Sequence, residues 1–115
     1  MTTANVPLYQ AKAELFRTLG HPVRIRVLEL LQDGPLPVRE LLADIEVESS
    51  SLSQQLAVLR RAGLVHSERD GSTVLYTLST PDVAQLLLYG RRILESMWAE
   101  QEGLLAELRG SVETV

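Results

Sequence analysis

Residues 49–79 read SSSLSQQLAVLRRAGLVHSERDGSTVLYTLS, and this stretch decides the fold. Its first half has helical periodicity. Leu52, Leu56 and Leu59 fall on one side, while Ser50, Gln54 and Arg61 fall nearly opposite, with Ser51 beside them. Ser49 is placed to cap this helix through its hydroxyl. Gly63 is placed to close it, since a left-handed residue is usual just past a helix C-terminus. After Gly63 the period drops to two. Leu64–Arg69 and Thr73–Leu78 read as strands, the second with Val74, Tyr76 and Leu78 on one face and Thr73, Leu75 and Thr77 on the other. Asp70-Gly71 between them is a hairpin signal, both residues being open to positive φ.

The flanking segments supply the rest. Upstream, Val38, Leu41, Leu42 and Ile45 make one apolar stripe on a short helix, 38–45, and Glu46-Val47-Glu48 links it tightly to the next. Before it, Pro22 opens a helix carrying Ile25, Val27, Leu28, Leu30 and Leu31, which Gly34-Pro35 ends. Leu8, Ala11, Leu15, Phe16 and Leu19 set the spacing of a first helix from Pro7, stopped at Gly20. Downstream, Thr80-Pro81-Asp82 combines a threonine cap, a first-turn proline and an early acid, and starts a long helix over about 81–109. Gly103 and Gly110 are placed to break or fray it near its end. The expected fold is mainly α with a β-hairpin wing, in the order α-α-α-α-β-β-α. Two short helices joined by a tight turn and followed by a hairpin make a winged helix-turn-helix. One domain, 7–110, holds a recognition helix at about 49–62 and a wing at about 64–78, between a flexible tail at 1–6 and a C-terminal tail at 111–115.

Composition bounds the function. A chain of 115 residues with 45% hydrophobic content suits one domain with a core built mainly from Leu, Val, Ile and Ala. No cysteine occurs, which excludes disulfides, thiolate metal sites and thiol redox sensing. No apolar run approaches the roughly 18 residues of a membrane span, and no charged start precedes an apolar stretch. The expectation is a cytoplasmic protein without membrane contact. The net charge of −4 argues against a nucleic-acid partner, but its distribution does not. From Ser49 to Arg69, Arg60, Arg61 and Arg69 outnumber Glu68. From Thr77 onward, Arg91, Arg92 and Arg109 are outnumbered by Asp82, Glu95, Glu100, Glu102, Glu107 and Glu113. The acidity lies away from the segment expected to touch DNA.

A helix about 10–12 Å across fits the major groove if it turns apolar groups inward and short polar groups outward near its N-terminus. Residues 49–62 have that arrangement. Ser50, Ser51, Gln54 and Gln55 are the expected base readers, because Gln can bond the adenine edge twice and Ser either base or phosphate. Ser49, Arg60 and Arg61 on the helix, with Arg69, Ser72 and Thr73 at the wing, are the expected backbone contacts. A solvated polar face is the plain alternative for any one of these residues. The order of elements around them raises the weight of DNA contact.

The last helix carries a second message. Val83, Leu87, Gly90, Leu94, Met97, Gln101, Leu104 and Leu108 keep 4,3 spacing, an a/d seam that Trp98 and its neighbours widen. The expected interface of a homodimer comprises Val83, Leu87, Leu94, Met97 and Trp98, with Leu8, Leu15 and Phe16 of the first helix. A dimer would set two recognition helices into successive major grooves about 34–36 Å apart.

Leu19–Leu28 (LGHPVRIRVL), Val38–Leu42 (VRELL), Ser53–Val65 (SQQLAVLRRAGLV) and Arg69–Tyr76 (RDGSTVLY) also resemble the ArsR/SmtB family of repressors, over about residues 8–95. The resemblance implies a winged-helix homodimer, joined through its first and last helices, that blocks transcription at an operator and is often released by an effector. It also implies metal sites that this chain lacks. The family's cysteines at the start of the third helix correspond to Pro37 and Arg39. The aspartate–histidine pair opening the last helix corresponds to Asp82 and Ala84, and no histidine follows His66. No metal and no cofactor is therefore expected. The family's frequent Ser-x-His-Leu is Ser53-Gln54-Gln55-Leu56 here, which alters the base contact at Gln55. His21 reads as a capping or packing residue and His66 as an exposed wing residue.

Two other classes make different demands on the chain. A winged helix that binds only proteins would suit the acidic charge and would show no duplex affinity. An enzyme would need a nucleophile–base pair, a phosphate loop or a metal cluster, and none is legible. The operator, and the identity of any small-molecule effector, are not encoded in a readable pattern.

Overall fold

A computed structural model describes residues 6–114, with side chains as far as Gly110. Residues 1–5, most of the expected N-terminal tail, lie outside the described residues, as does residue 115. The chain divides into two compact units, one ending at Ala84 and one beginning at Gln85.

The first unit holds the helices and the sheet. Helix α1 (Leu8–Leu19) ends at Gly20. Helix α2 (Pro22–Leu30) begins at a proline, which needs no N–H there, and His21 caps it by accepting from the Val23 N–H through Nδ1 over 3.2 Å. A single 3-10 turn, Leu31–Asp33, leads to Gly34, whose φ of 135° favours glycine. Then come β1 (Leu36–Pro37), α3 (Val38–Asp44), α4 (Ser49–Arg61), β2 (Val65–Asp70) and β3 (Thr73–Leu78). Thr80 Oγ1 accepts from the Asp82 N–H, and α5 runs Asp82–Thr114.

The architecture is a winged helix-turn-helix, with two additions to the expected order. Besides the 3-10 turn, β1 makes the hairpin a three-stranded antiparallel sheet, β1-β3-β2, through Leu36↔Tyr76 and Pro37↔Leu75. Proline is tolerated there because β1 is an edge strand. Two residues carry no periodicity, so the strand is invisible in a hydrophobic pattern.

The core of this unit is aliphatic. Val27, Leu28, Leu41, Leu52, Leu56 and Leu59 are at most 2% exposed, and Leu31, Ile45, Leu64 and Val65 are buried with them. Each such side chain contributes about 1.5–3 kcal/mol by leaving water. Ile25, Leu30, Val38 and Leu42 are only half-buried. The leucine stripe of α4 is thus wholly inward, and its opposite face is left to solvent.

Three local expectations are corrected. Ser49 is not the cap of α4. Glu48 holds the N-cap position with extended backbone (φ −70°, ψ 150°) and makes no side-chain cap bond, so Ser49 is already helical. The hairpin loop is Gly71-Ser72, not Asp70-Gly71, because Asp70 pairs with Thr73 in the ladder. Only Gly71 takes positive φ (66°), as in a turn with glycine at its first central position. Finally, α5 runs through Gly103 and Gly110 and past residue 111. Each glycine costs about 1 kcal/mol against alanine, and Glu102, Leu104, Leu105, Ala106 and Glu107 around them favour helix.

Candidate nucleic-acid interface

The turn between α3 and α4 is tight. Val47 N–H bonds to Ile45 C=O over 2.9 Å, and Leu52 N–H bonds to Glu48 C=O over 3.0 Å as the first intrahelical bond of α4. The N–H groups of Ser49, Ser50 and Ser51 precede that bond and no side chain caps them. They form a partial positive pole able to meet an anion. Glu46 and Glu48 are exposed beside it and oppose that attraction. Net cationic charge on α4 sits at its other end, on Arg60 and Arg61, both exposed.

The far end of α4 is held by a Schellman pair. Leu64 N–H bonds to Leu59 C=O and Gly63 N–H to Arg60 C=O, each over 3.0 Å, with Gly63 at φ 79°. This turns the chain sharply from α4 into β2, while the buried Leu59 and Leu64 anchor the turn.

Among the expected base readers, Ser50 and Gln54 are exposed on the face opposite the leucine stripe. Ser51 is half-buried beside them. Gln55 is half-buried and committed: its Oε1 accepts from Arg24 Nε of α2 over 2.8 Å. Sequence spacing could not show this bond, because its partners lie 31 residues apart. Of the expected backbone contacts, Ser49, Arg69 and Ser72 are exposed and Thr73 is half-buried. Arg69 stands between two acids, Glu68 and Asp70, and Glu68 also lies 3.7 Å from His66 Nε2. The wing tip is therefore of mixed charge.

One candidate was missed. Arg39, considered in the sequence only as the counterpart of a family cysteine, is exposed in the first turn of α3 and makes no ion pair among the described residues. The first helix of a helix-turn-helix crosses the DNA backbone, so an arginine there is placed for phosphate. Its signal was legible: a cation on the polar face of the supporting helix.

The expected dimer residues divide. Leu8, Phe16, Leu94, Met97 and Trp98 are exposed, whereas Leu15 and Leu87 are half-buried. Val83 is 6% exposed and belongs to the core of its own unit, so it has little to offer a second copy. In α5, Leu104, Leu105 and Leu108 extend the exposed apolar positions. Among the described residues no three His, Asp or Glu side chains converge as metal ligands, and no helix is long and apolar enough to cross a membrane.

Comparison with known proteins agrees with this geometry. The family model for "Bacterial regulatory protein, arsR family" matches residues 21–67, which span α2, α3, α4 and the start of the wing. An HTH-type transcriptional regulator of Mycobacterium tuberculosis, Rv0081, is 50% identical over 104 residues, covering 90% of this chain and 91% of that protein. Its crystal structure superposes with a TM-score of 0.76 at 50% identity, over 84% of this chain and 97% of that one. The transcriptional repressor BigR of Xylella fastidiosa gives a TM-score of 0.69 at 36% identity, over 74% and 87% of the two chains. The transcriptional activator HlyU of Vibrio cholerae is 40% identical over 73 residues, 64% of this chain and 68% of that protein.

Proposed function

The chain belongs to the arsR family of bacterial regulatory proteins, a class of DNA-binding transcription regulators rather than enzymes, and from that premise we propose that it is a repressor that binds a near-palindromic operator as a homodimer. It acts in the cytoplasm. In each copy, the N-terminal half of α4 enters the major groove. Ser50 and Gln54 read base edges, with Ser51 and Gln55 beside them. Ser49, Arg60 and Arg61 meet phosphates, as do Arg69, Ser72 and Thr73 of the wing.

The observation that carries this reading is the division of α4. Leu52, Leu56 and Leu59 are at most 2% exposed, while Ser50 and Gln54 face water from a helix whose start carries no side-chain cap bond. A helix locked by its apolar stripe presents its polar side chains in fixed register, which base recognition requires.

The homodimer is supported by exposed apolar side chains in both terminal helices. Leu8 and Phe16 of α1 are open to water, and so are Leu94 and Met97 of α5 at heptad spacing, with Trp98 beside them. Burial against a second copy removes that area from solvent. Repression is supported by the likeness to BigR, whose name states that role. The likeness to HlyU, which is named an activator, favours activation as the second reading.

Selection of bound duplexes from a random pool at physiological salt tests the proposal. The expected product is a pseudo-palindrome whose half-sites lie one helical turn apart, bound with an affinity that falls steeply with salt. Failure to enrich any sequence would contradict it.

A further inference from the structure

Resting on the reading of α4 as the recognition helix, we propose that Arg24 is a positioning residue for Gln55, and that the pair makes Gln55 select a keto base, guanine or thymine, instead of adenine. Glutamine reads adenine with both ends of its carboxamide, the oxygen accepting from N6–H and the nitrogen donating to N7. In this chain the oxygen end is already engaged on one of its two lone pairs. Arg24 Nε lies 2.8 Å from the Gln55 carboxamide. A guanidinium has only donors, so the atom facing it must be the amide oxygen. Rotating the carboxamide by half a turn would set its NH2 against a cation and forfeit a charge-assisted bond, which is about twice as strong as a neutral one.

Arg24 is itself held. Its Nη1 donates to the Thr18 carbonyl of α1 over 3.1 Å, and both of its bonds are part-buried. The guanidinium therefore spans from the last turns of α1 to the recognition helix and has little freedom to follow Gln55 if the amide turns.

The other end of the carboxamide is open. Gln55 Nε2 has no partner among the described residues, and no buried side-chain nitrogen or oxygen among them lacks one. A half-buried residue that meets both conditions has its Nε2 in contact with solvent. If α4 lies in the groove, Gln55 therefore offers it an NH2 donor, while one of the two lone pairs of its oxygen is already filled by Arg24. Guanine, with O6 and N7, and thymine, with O4, present acceptors in the major groove. Adenine sets its N6–H2 donor beside N7, and cytosine offers N4–H2, so a fixed donor disfavours both.

The test repeats the duplex selection with three variants. The unaltered protein should show one column in each half-site where guanine or thymine is preferred over adenine by about 5- to 150-fold. Gln55→Glu keeps the bond to Arg24 but replaces the donor by an acceptor, so that column should change to an amino base, cytosine or adenine. Arg24→Met keeps the aliphatic stem, frees the carboxamide and should admit adenine in the same column. Arg24→Lys, which still donates, should restore the keto preference. Circular dichroism establishes that each variant is folded, and Gln55→Glu decides alone if Arg24→Met does not fold. A column that stays the same in folded Arg24→Met, or in Gln55→Glu, overturns the inference, and so does a preference for adenine in that column by the unaltered protein. If the unaltered protein enriches no duplex, the recognition-helix reading itself fails and takes the inference with it.

Discussion

Arg26 and Asp44 meet in a two-pronged pair, Nε donating to Oδ1 over 2.9 Å and Nη2 to Oδ2 over 3.1 Å. This is the one side-chain bridge between α2 and α3 among the described residues, and it helps set the supporting helix of the helix-turn-helix. Hydrogen bonds that Arg26 donates to Asp44 first, and to Glu29 second, raise its pKa above the ordinary value. The pair is nonetheless solvent-exposed, so its contribution to stability is small and screened by salt. Asp44→Ala should lower Tm slightly in dilute buffer, and the difference should vanish in molar salt. A large fall that persists in salt would mean that the pair is more than a surface tie.

The leucine stripe of α4 behaves differently. Leu56 is 2% exposed among aliphatic neighbours, so Leu56→Ala should cost about 2–5 kcal/mol in urea unfolding monitored by circular dichroism. Gln54→Ala, on the solvent side of the same helix, should leave stability nearly unchanged. Equal costs at the two positions would contradict the division of α4 into inner and outer faces.

The wing depends on one backbone angle. Gly71 has φ 66°, and a Cβ added there meets no atom within 4 Å, so Gly71→Ala tests the angle alone. A non-glycine residue in this region costs about 1–2 kcal/mol. Faster amide hydrogen exchange in β2 and β3 is expected, with unchanged protection in α2 and α4. Uniform loss of protection would show that the hairpin is not a separable element.

Base and backbone contacts should separate in their sequence and salt dependence. Gln54→Ala should cost about 1–3 kcal/mol on the preferred operator and relax selectivity at one position. Arg60→Ala should weaken all duplexes alike and reduce the salt slope by about one. Titrations by fluorescence anisotropy across a salt series read both effects. A sequence-selective loss from Arg60→Ala would reassign that residue to the bases.

The helices were legible because their signals are local and redundant. Leu52, Leu56 and Leu59 repeat at helical spacing, Gly63 stops α4, and Pro22 and Thr80 mark helix starts. What escaped was set by pairing between distant residues. β1 exists only because Leu36 and Pro37 align with β3, and the hairpin loop moved by one residue because Asp70 found Thr73 across the ladder. Ser49 looked like a cap by residue type, yet extended backbone at Glu48 starts the helix one position earlier. Val83 fits the heptad seam by spacing, and only the packing of its own unit shows that it is buried. On the proposed DNA-facing side of α4, residue types nominate Ser50, Ser51, Gln54 and Gln55, whereas the bond between Arg24 and Gln55 needs coordinates.

The central claim is geometric: two copies of α4, one from each half of a dimer, occupy adjacent major grooves on one side of the duplex. Hydroxyl-radical and guanine-methylation footprinting of the complex on its selected operator measures this directly. The account predicts two equivalent protected patches in the major groove, separated by about 10 base pairs and related by a two-fold axis. A single patch, or protection confined to the minor groove, would contradict it.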